Sequence, residues 1–374
     1  MAIVQIRVTE KHRALFREDL AEWYASARRD LPWRDTDDPY RIWLSEVMLQ
    51  QTRVEQVEPY YRRFLERFPS VNDLADASLH DVLLCWEGLG YYSRARNLHR
   101  AARTVVDEYA GEVPDTLEEI RSLPGVGPYT AAAVLSIAFE RPHAVLDGNV
   151  IRVLSRFFAV ESDVKKQATR RSLQSAADEL VDPDAPGDFN QALMELGARI
   201  CIPRAPSCSM CPVAPACEAR RRGIPDSFPV ASSRPPVPHF DVVVALISDA
   251  SGRILIQQRP EDAMLGGLWE FPGGKCRDDE ALEDACVREV KEELGVDVVI
   301  EQFYYRLAHA YSHFRITLHA YRCAIVNGQV QSATGEALDW VHVDSLGKYA
   351  FPRANRRLIE QIVQERREPR LFDA

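Results

Sequence analysis

The chain has 374 residues, is 46% hydrophobic and 27% charged, and carries a net charge of −10. That length suits two ordinary domains with separate cores, and the balance is that of a globular chain rather than a disordered one. No apolar run approaches the roughly 20 residues of a spanning helix, and the first residues lack the apolar core of a secretory signal, so a cytoplasmic protein without a membrane partner is expected. Lys and Arg are outnumbered by Asp and Glu both before and after residue 230, at 29 against 34 and then 17 against 22. A broadly basic nucleic-acid coat is thereby excluded, and any DNA contact must use local patches and backbone amides. Residues 10 to about 200 read as helices separated by short Gly/Pro/Asp breaks, among them Ile42–Phe68, Leu79–Trp86, Ser93–Tyr109, Leu117–Ser122 and Tyr129–Phe139. Asp226 to Pro238 is rich in Pro and Ser and reads as an extended linker. Beyond it the pattern predicts strands at Val242–Ile247, Ile254–Gln257, Ile316–Cys323 and Trp340–Val343, with a helix at Ala281–Leu294. An all-α domain over 1–225, a linker over 226–238 and an α+β domain over 239–374 follow.

Four of the eight cysteines, Cys201, Cys208, Cys211 and Cys217, crowd into one loop with spacing C-x6-C-x2-C-x5-C. Four thiolates in one short segment can hold a metal centre, either tetrahedral zinc or an iron–sulfur cluster. Cys85, Cys276, Cys286 and Cys323 are scattered and read as plain buried thiols. Arg94, Arg96, Arg100 and Arg103 form a local basic stretch, which taken alone is a solvated helix face.

Leu123-Pro-Gly-Val-Gly-Pro-Tyr-Thr130 lies between two helical stretches. Gly125 and Gly127 permit a tight turn, and the helix beginning near Tyr129 offers N–H groups to a phosphate. By itself this is an ordinary helix–turn–helix connection. Asp147, in Leu146-Asp-Gly-Asn-Val150, follows about twenty residues later. A second carboxylate, Glu46, is expected near the start of a helix and sits among apolar residues in Pro39-Tyr-Arg-Ile-Trp-Leu-Ser-Glu46. Such surroundings raise a carboxyl pKa and suit a general acid.

The segments WLSEVMLQQT (43–52), GLGYYSRARNL (88–98), LPGVGPYTA (123–131), LDGNV (146–150) and the cysteine loop occur in the order found in the MutY adenine DNA glycosylases, which the chain resembles over about residues 10–225. The resemblance implies a helix-hairpin-helix glycosylase fold with a [4Fe–4S] cluster on Cys201, Cys208, Cys211 and Cys217. It implies a monomeric enzyme acting on double-stranded DNA, removing adenine mispaired with 8-oxoguanine or guanine. It assigns Glu46 as the acid that protonates adenine, Asp147 as the ionised carboxylate stabilising the sugar cation, and Asn149 as a residue holding that sugar. Tyr129 stands where lyase-competent relatives carry a nucleophilic Lys, so a monofunctional enzyme is expected. Gln51 and Tyr91 match residues that enter the helix when the adenine is flipped out. Gly125 and Gly127 belong to the DNA-binding hairpin.

The C-terminal part contains Gly274-Lys-Cys-Arg-Asp-Asp-Glu280, seven further residues, then Arg288-Glu-Val-Lys-Glu-Glu-Leu-Gly-Val296, which resembles a complete Nudix box. Glu289, Glu292 and Glu293 share one helical face, and such carboxylates can bind Mg²⁺ for pyrophosphate chemistry, with Glu336 as a distal helper. Arg259, Leu268–Gly274 and Phe351-Pro-Arg-Ala-Asn355 resemble the MutT nucleotide hydrolases, and Asn355 matches their purine-recognising residue. Tyr311-Ser312-His313 matches the Phe-Ser-His loop by which the MutY family probes 8-oxoguanine. Two activities are thus implied for this domain: reading the lesion in DNA, or hydrolysing 8-oxo-dGTP as half of a fused enzyme.

Overall fold

A computed structural model of the chain describes residues 6–233, 236–311 and 313–367. They fall into two compact units, one formed by residues up to 75 together with 100–234, the other by 76–99 together with 235 onward. Among the described residues no helix is long and apolar enough to cross a membrane.

The first unit is helical. At its centre lies the helix Pro39–Leu49, in which every residue from Ile42 to Met48 is buried. Asp38 caps it, its side chain accepting from the N–H groups of Tyr40 and Arg41, and Pro39 occupies the first turn, where a missing N–H costs nothing. The sequence pattern predicts one helix over Ile42–Phe68. Instead the chain breaks after Leu49 and resumes as Val54–Arg67, with Gln51 in the left-handed region at φ +58°. The apolar periodicity runs across the break because both helices bury the same kind of face, so composition alone does not mark it. Glu46 accordingly lies in the second half of its helix, not near its start.

The helix Pro128–Phe139 follows the hairpin turn and packs on Pro39–Leu49. Thr130 to Ser136 are buried without interruption, which gives this helix no amphipathic signature. The third positioning helix, Gly148–Phe157, is capped by Asp147, and its apolar face joins the core around Leu154, Leu173, Leu193 and Leu196. At the end of the first unit, Phe228 is buried against Ala159 and Ala219, so the Pro/Ser-rich stretch is packed at least to this residue.

The second unit contains two sheets. One has the order β4-β1-β6-β5, where β1 is His239–Ile247, β4 Gly273–Lys275, β5 Asp297–Ala310 and β6 Arg315–Asn327. The other has the order β3-β2-β7, with β2 Ile254–Gln258, β3 Trp269–Glu270 and β7 Leu338–Val341. β1 and β6 run parallel, Val243 opposite His319, whereas the other pairs are antiparallel. Helix Leu282–Leu294 buries Ala285, Cys286, Val290 and Leu294 on one side of the larger sheet, and helix Arg353–Arg367 buries Ala354, Leu358, Ile359 and Ile362 on the other. The long strand β5 is absent from the sequence-based expectation. Three register shifts interrupt its pairing with β6, and its exposed alternation is irregular.

Candidate active site

Helices Pro39–Leu49, Pro128–Phe139 and Gly148–Phe157 bring Glu46, Tyr129, Asp147 and Asn149 to the wall of one cleft of about 760 Å³. Glu46 is only 5% exposed. Burial pushes its carboxyl up to about 7, with the charge of Asp147 adding to the rise and a hydrogen bond from Tyr129 opposing it. That bond is short: the Tyr129 hydroxyl donates to Glu46 Oε2 at 2.5 Å. Tyr129 itself is raised well above the usual phenol range by burial and by both carboxylates, so it remains a donor. One oxygen of Glu46 is therefore occupied, which leaves Oε1 to carry the acidic proton.

Asp147 lies in a different setting. Burial raises its pKa as well, but the N–H of Val150 donates to Oδ1 at 2.7 Å, Asn149 Nδ2 donates to Oδ2 at 3.0 Å, and Arg152 adds a favourable charge. All of these favour the ionised form. Two carboxylates in one cleft thus differ in what their neighbours supply: one donor for Glu46, several for Asp147.

Asn149 is held from three sides. Its Oδ1 accepts from Arg152 Nη2 at 2.8 Å, and a Cβ on Gly197 would stand 2.6 Å from Asn149 Cβ, so only glycine fits behind it. Arg152 continues to the carbonyls of Gly197, at 2.6 Å, and Cys201, at 2.7 Å. One turn further along the same helix, Arg156 is 2% exposed. Its Nη1 donates to Ile202 O at 2.6 Å and approaches Cys201 Sγ at 3.4 Å, and its Nη2 donates to Pro203 O at 2.8 Å. The helix that begins with the catalytic candidate therefore ends by bracing the cysteine loop.

Cys201, Cys208, Cys211 and Cys217 all line one cavity of about 400 Å³, together with Arg156 and Arg220. Burial raises the thiol pKa values of Cys208, Cys211 and Cys217, that of Cys211 to about 12. Four thiols around one cavity with two guanidinium groups suit an anionic centre that deprotonates its ligands.

A second opening, about 900 Å³, lies beside the cleft and is lined by Gln51, Gly125, Gly127, Tyr129 and Asp147. Gly125 has φ +77°, and Val126 N–H closes the turn on Leu123 O at 3.1 Å. Gly127 is the N-cap of helix Pro128–Phe139, and a Cβ there would meet nothing within 4 Å. The approach to this helix N-terminus is open, as a phosphate site requires.

The sequence reading misses the far wall of the cleft. Glu195, with a fully buried side chain, accepts from Arg29 at 2.8 and 2.7 Å and from Arg34 at 2.8 Å. Burial alone would raise this carboxyl, but the two arginines outweigh it and hold it low. Trp33 lines the same cleft. The only sequence signal is the density of Arg and Trp in residues 28–34, which does not point to Glu195 more than 160 positions away.

In the second unit, Tyr91 is half-buried with φ +50°, its ring 5.4 Å from the Arg94 guanidinium. Glu293 Oε2 accepts from Gly273 N at 2.9 Å and Gln257 Nε2 at 2.6 Å, and burial pushes it up to about 7. Glu289 lies under the next residue: a Cβ on Gly274 would be 2.2 Å from its Oε2. Glu292 is turned away and pairs with Arg277 and Arg288 at 2.9 and 3.1 Å. Glu270, which the sequence reading does not single out, is raised by burial and pairs with Arg259 at 2.5 Å. Asn355 is 6% exposed, and its Oδ1 has no partner among the described residues. Tyr311 closes the β5–β6 turn through its N–H to Phe314 O at 2.8 Å and stacks on the Phe314 ring; His313 is exposed at the tip, and Ser312 lies outside the described residues. No helix or strand carries Glu336. Among the described residues no three His, Cys, Asp or Glu side chains converge on a single-ion site.

Residues 44–179 match the HhH-GPD superfamily base excision DNA repair protein family, and residues 243–361 match the NUDIX domain family. The chain is 38% identical over 372 residues to the adenine DNA glycosylase of Mus musculus, covering 85% of this chain and 72% of that one. It is 34% identical to the adenine DNA glycosylase of Schizosaccharomyces pombe, covering 88% and 86% respectively. Among solved structures, a thermostable thymine-DNA glycosylase aligns over 58% of this chain and its own whole length, with 32% identity and a TM-score of 0.53. A complex of endonuclease III with DNA aligns over 58% of this chain and 99% of its own at a TM-score of 0.50; at 22% identity it speaks to the fold alone.

Proposed function

Because the chain belongs to the adenine DNA glycosylase family, we propose that the Glu46–Tyr129–Asp147 constellation releases adenine paired with 8-oxoguanine or guanine and leaves an intact abasic site. That the protein is an adenine-specific DNA N-glycosylase of base-excision repair, with DNA as its partner, is established by these relatives. The finer reading is carried by one observation: two buried carboxylates in one cleft with unequal hydrogen-bond supply, one donor for Glu46 and several for Asp147.

Adenine is a poor leaving group from deoxyribose until a ring nitrogen is protonated. Glu46, with a pKa of about 7, holds a proton near neutral pH and delivers it from Oε1, while Tyr129 fixes the other oxygen. As the glycosidic bond breaks, positive charge develops on the sugar. Asp147, whose hydrogen-bond donors favour its ionised form against the effect of burial, faces that charge, and Asn149 keeps its carboxylate in place. Water then completes hydrolysis. Tyr129 offers no amine, so no Schiff base forms with the sugar. Gln51 and the open N-terminus beyond Gly127 support a duplex held beside the cleft with the adenine turned out.

Cys201, Cys208, Cys211 and Cys217 would hold a [4Fe–4S] cluster, supported by the shared cavity and by Arg156 at Cys201 Sγ. When bound, such a cluster fixes the loop as a structural clamp. Arg152 and Arg156 then anchor helix Gly148–Phe157, and with it Asp147 and Asn149, to that clamp. The experiment is single-turnover excision on duplexes with adenine opposite 8-oxoguanine, guanine or thymine. Faster release opposite 8-oxoguanine and guanine than opposite thymine is expected; equal rates overturn the mispair reading.

A second activity, Mg²⁺-dependent hydrolysis of 8-oxo-dGTP, is favoured by one feature, the buried Oδ1 of Asn355, which has no partner among the described residues. A purine amino group would satisfy it. Glu289 and Glu293 would hold the metal, which supplies charge neutralisation at the phosphates. Absence of turnover with 8-oxo-dGTP and Mg²⁺ leaves the C-terminal unit as a reader of the base opposite adenine through Tyr311, Ser312 and His313.

A further inference from the structure

The second unit contains a turn whose backbone is disfavoured and therefore has to be held. Between helices Leu79–Trp86 and Ser93–Tyr109, Gly88, Gly90 and Tyr91 have φ of +93°, +77° and +50°. Glycine tolerates this; a tyrosine persists there only where its surroundings over-determine it. Part of the hold is local. Trp86 Nε1 and Arg94 Nη2 both donate to Gly90 O at 3.1 Å.

The rest comes from a segment more than 250 positions away. Glu87 Oε1 accepts from the N–H of Phe351 at 2.8 Å, and Arg356 Nη2 donates to its two oxygens at 2.6 and 2.8 Å. Arg356 Nε adds a bond at 3.0 Å. The Tyr92 hydroxyl donates to Phe351 O at 3.3 Å and accepts from Gly88 N–H at 3.2 Å. Both backbone groups of Phe351 are thus taken by the residues that flank the turn. Arg356 also donates to Tyr349 O at 2.8 Å, which ties down the other end of the same segment. Between these anchors lies Asn355, buried, with no partner for its Oδ1 among the described residues.

These contacts are directional. A forked guanidinium–carboxylate pair and a hydroxyl shared by two backbone groups fix one pose, where an apolar contact would tolerate sliding. Any shift of the Phe351–Arg356 segment is therefore transmitted to the turn that presents Tyr91. We propose that Glu87 and Tyr92 are positioning residues that couple recognition of the base opposite adenine to the pose of Tyr91, and so set the preference for 8-oxoguanine over guanine. This rests on the reading of the second unit as the holder of that base.

The test is the ratio of single-turnover adenine release opposite 8-oxoguanine to that opposite guanine, in the full chain. Glu87→Ala and Arg356→Ala, each of which removes the whole guanidinium–carboxylate fork, should lower the ratio by about tenfold, while the rate opposite guanine changes less than about twofold. Tyr92→Phe, which deletes one oxygen and leaves the ring packed, should lower it by about threefold. A ratio unchanged in all three variants overturns the proposal. So does an equal fall in both rates with a lower melting temperature, since that marks a merely structural contact. A wild-type protein without any preference for 8-oxoguanine overturns the underlying reading instead, before any variant is made.

Discussion

Replacing Glu46 by Gln should make the protein more stable, and the gain should grow with pH. Glu46 is buried, and its pKa in the fold is about 7 against an ordinary 4.5. A group raised on folding contributes stability that is fully present below its unfolded pKa and lost as pH rises through its folded pKa. The window is therefore pH 4.5 to 7. At 1.36 kcal/mol per pKa unit the full difference amounts to about 3 kcal/mol, most of which falls between pH 5 and 8. Gln has the same shape, can still accept from Tyr129, and carries no charge to desolvate. Urea unfolding followed by helical circular dichroism, at pH 5 and pH 8, should show Glu46→Gln gaining about 2 to 3 kcal/mol more over wild type at the higher pH. The same variant should bind a duplex with adenine opposite 8-oxoguanine and fail to release the base, because an amide has no proton to give. A stability difference independent of pH would show that Glu46 is solvated or paired in solution, and the argument for a neutral acid would fail with it.

Tyr129→Phe removes the donor that favours the ionised form of Glu46, so the alkaline limb of the pH–rate profile should move upward by about one pH unit; a limb that stays put separates Tyr129 from the acid. Gly197→Ala places a Cβ 2.6 Å from Asn149 Cβ, which must swing away from Asp147, and excision should slow by about tenfold or more in single-turnover assays. Arg156→Gln should lower the iron content of anaerobically purified protein and its broad absorption near about 400 nm, measured against wild type, because the loop loses its donors at Cys201, Ile202 and Pro203.

What the sequence makes legible is what lies in short contiguous motifs. Glu46 stands among apolar neighbours that already suggest a buried acid, and Asp147 and Asn149 stand in the LDGNV segment that carries the family resemblance; that Asp147 caps a helix is seen only in the fold. The fold brings all three to one cleft with Tyr129. The role of Tyr129 as a donor to Glu46 is a different matter, because the contact spans 83 positions and joins two helices whose register cannot be read from either one. The same holds for the Arg29–Glu195–Arg34 wall. An arginine in a sequence is nearly always a surface charge, and nothing local distinguishes one that will be buried against a carboxylate.

Arg152 and Arg156 show most clearly why the missing part is missing. Their spacing of four puts both on one face of helix Gly148–Phe157, but that face also carries the helix into the core, so a reading by periodicity treats them as exceptions to an apolar stripe. In the fold they satisfy the carbonyls of Gly197, Cys201, Ile202 and Pro203, backbone groups that carry no side-chain signature at all. Backbone acceptors are invisible to any pattern of residue types, yet a cysteine loop with little regular structure must have its carbonyls paired somewhere. A buried arginine is the side chain with enough donors to do so. The link from the cysteine loop to Asp147 therefore runs through groups the sequence cannot display, and a motif search finds both ends of it without finding the connection.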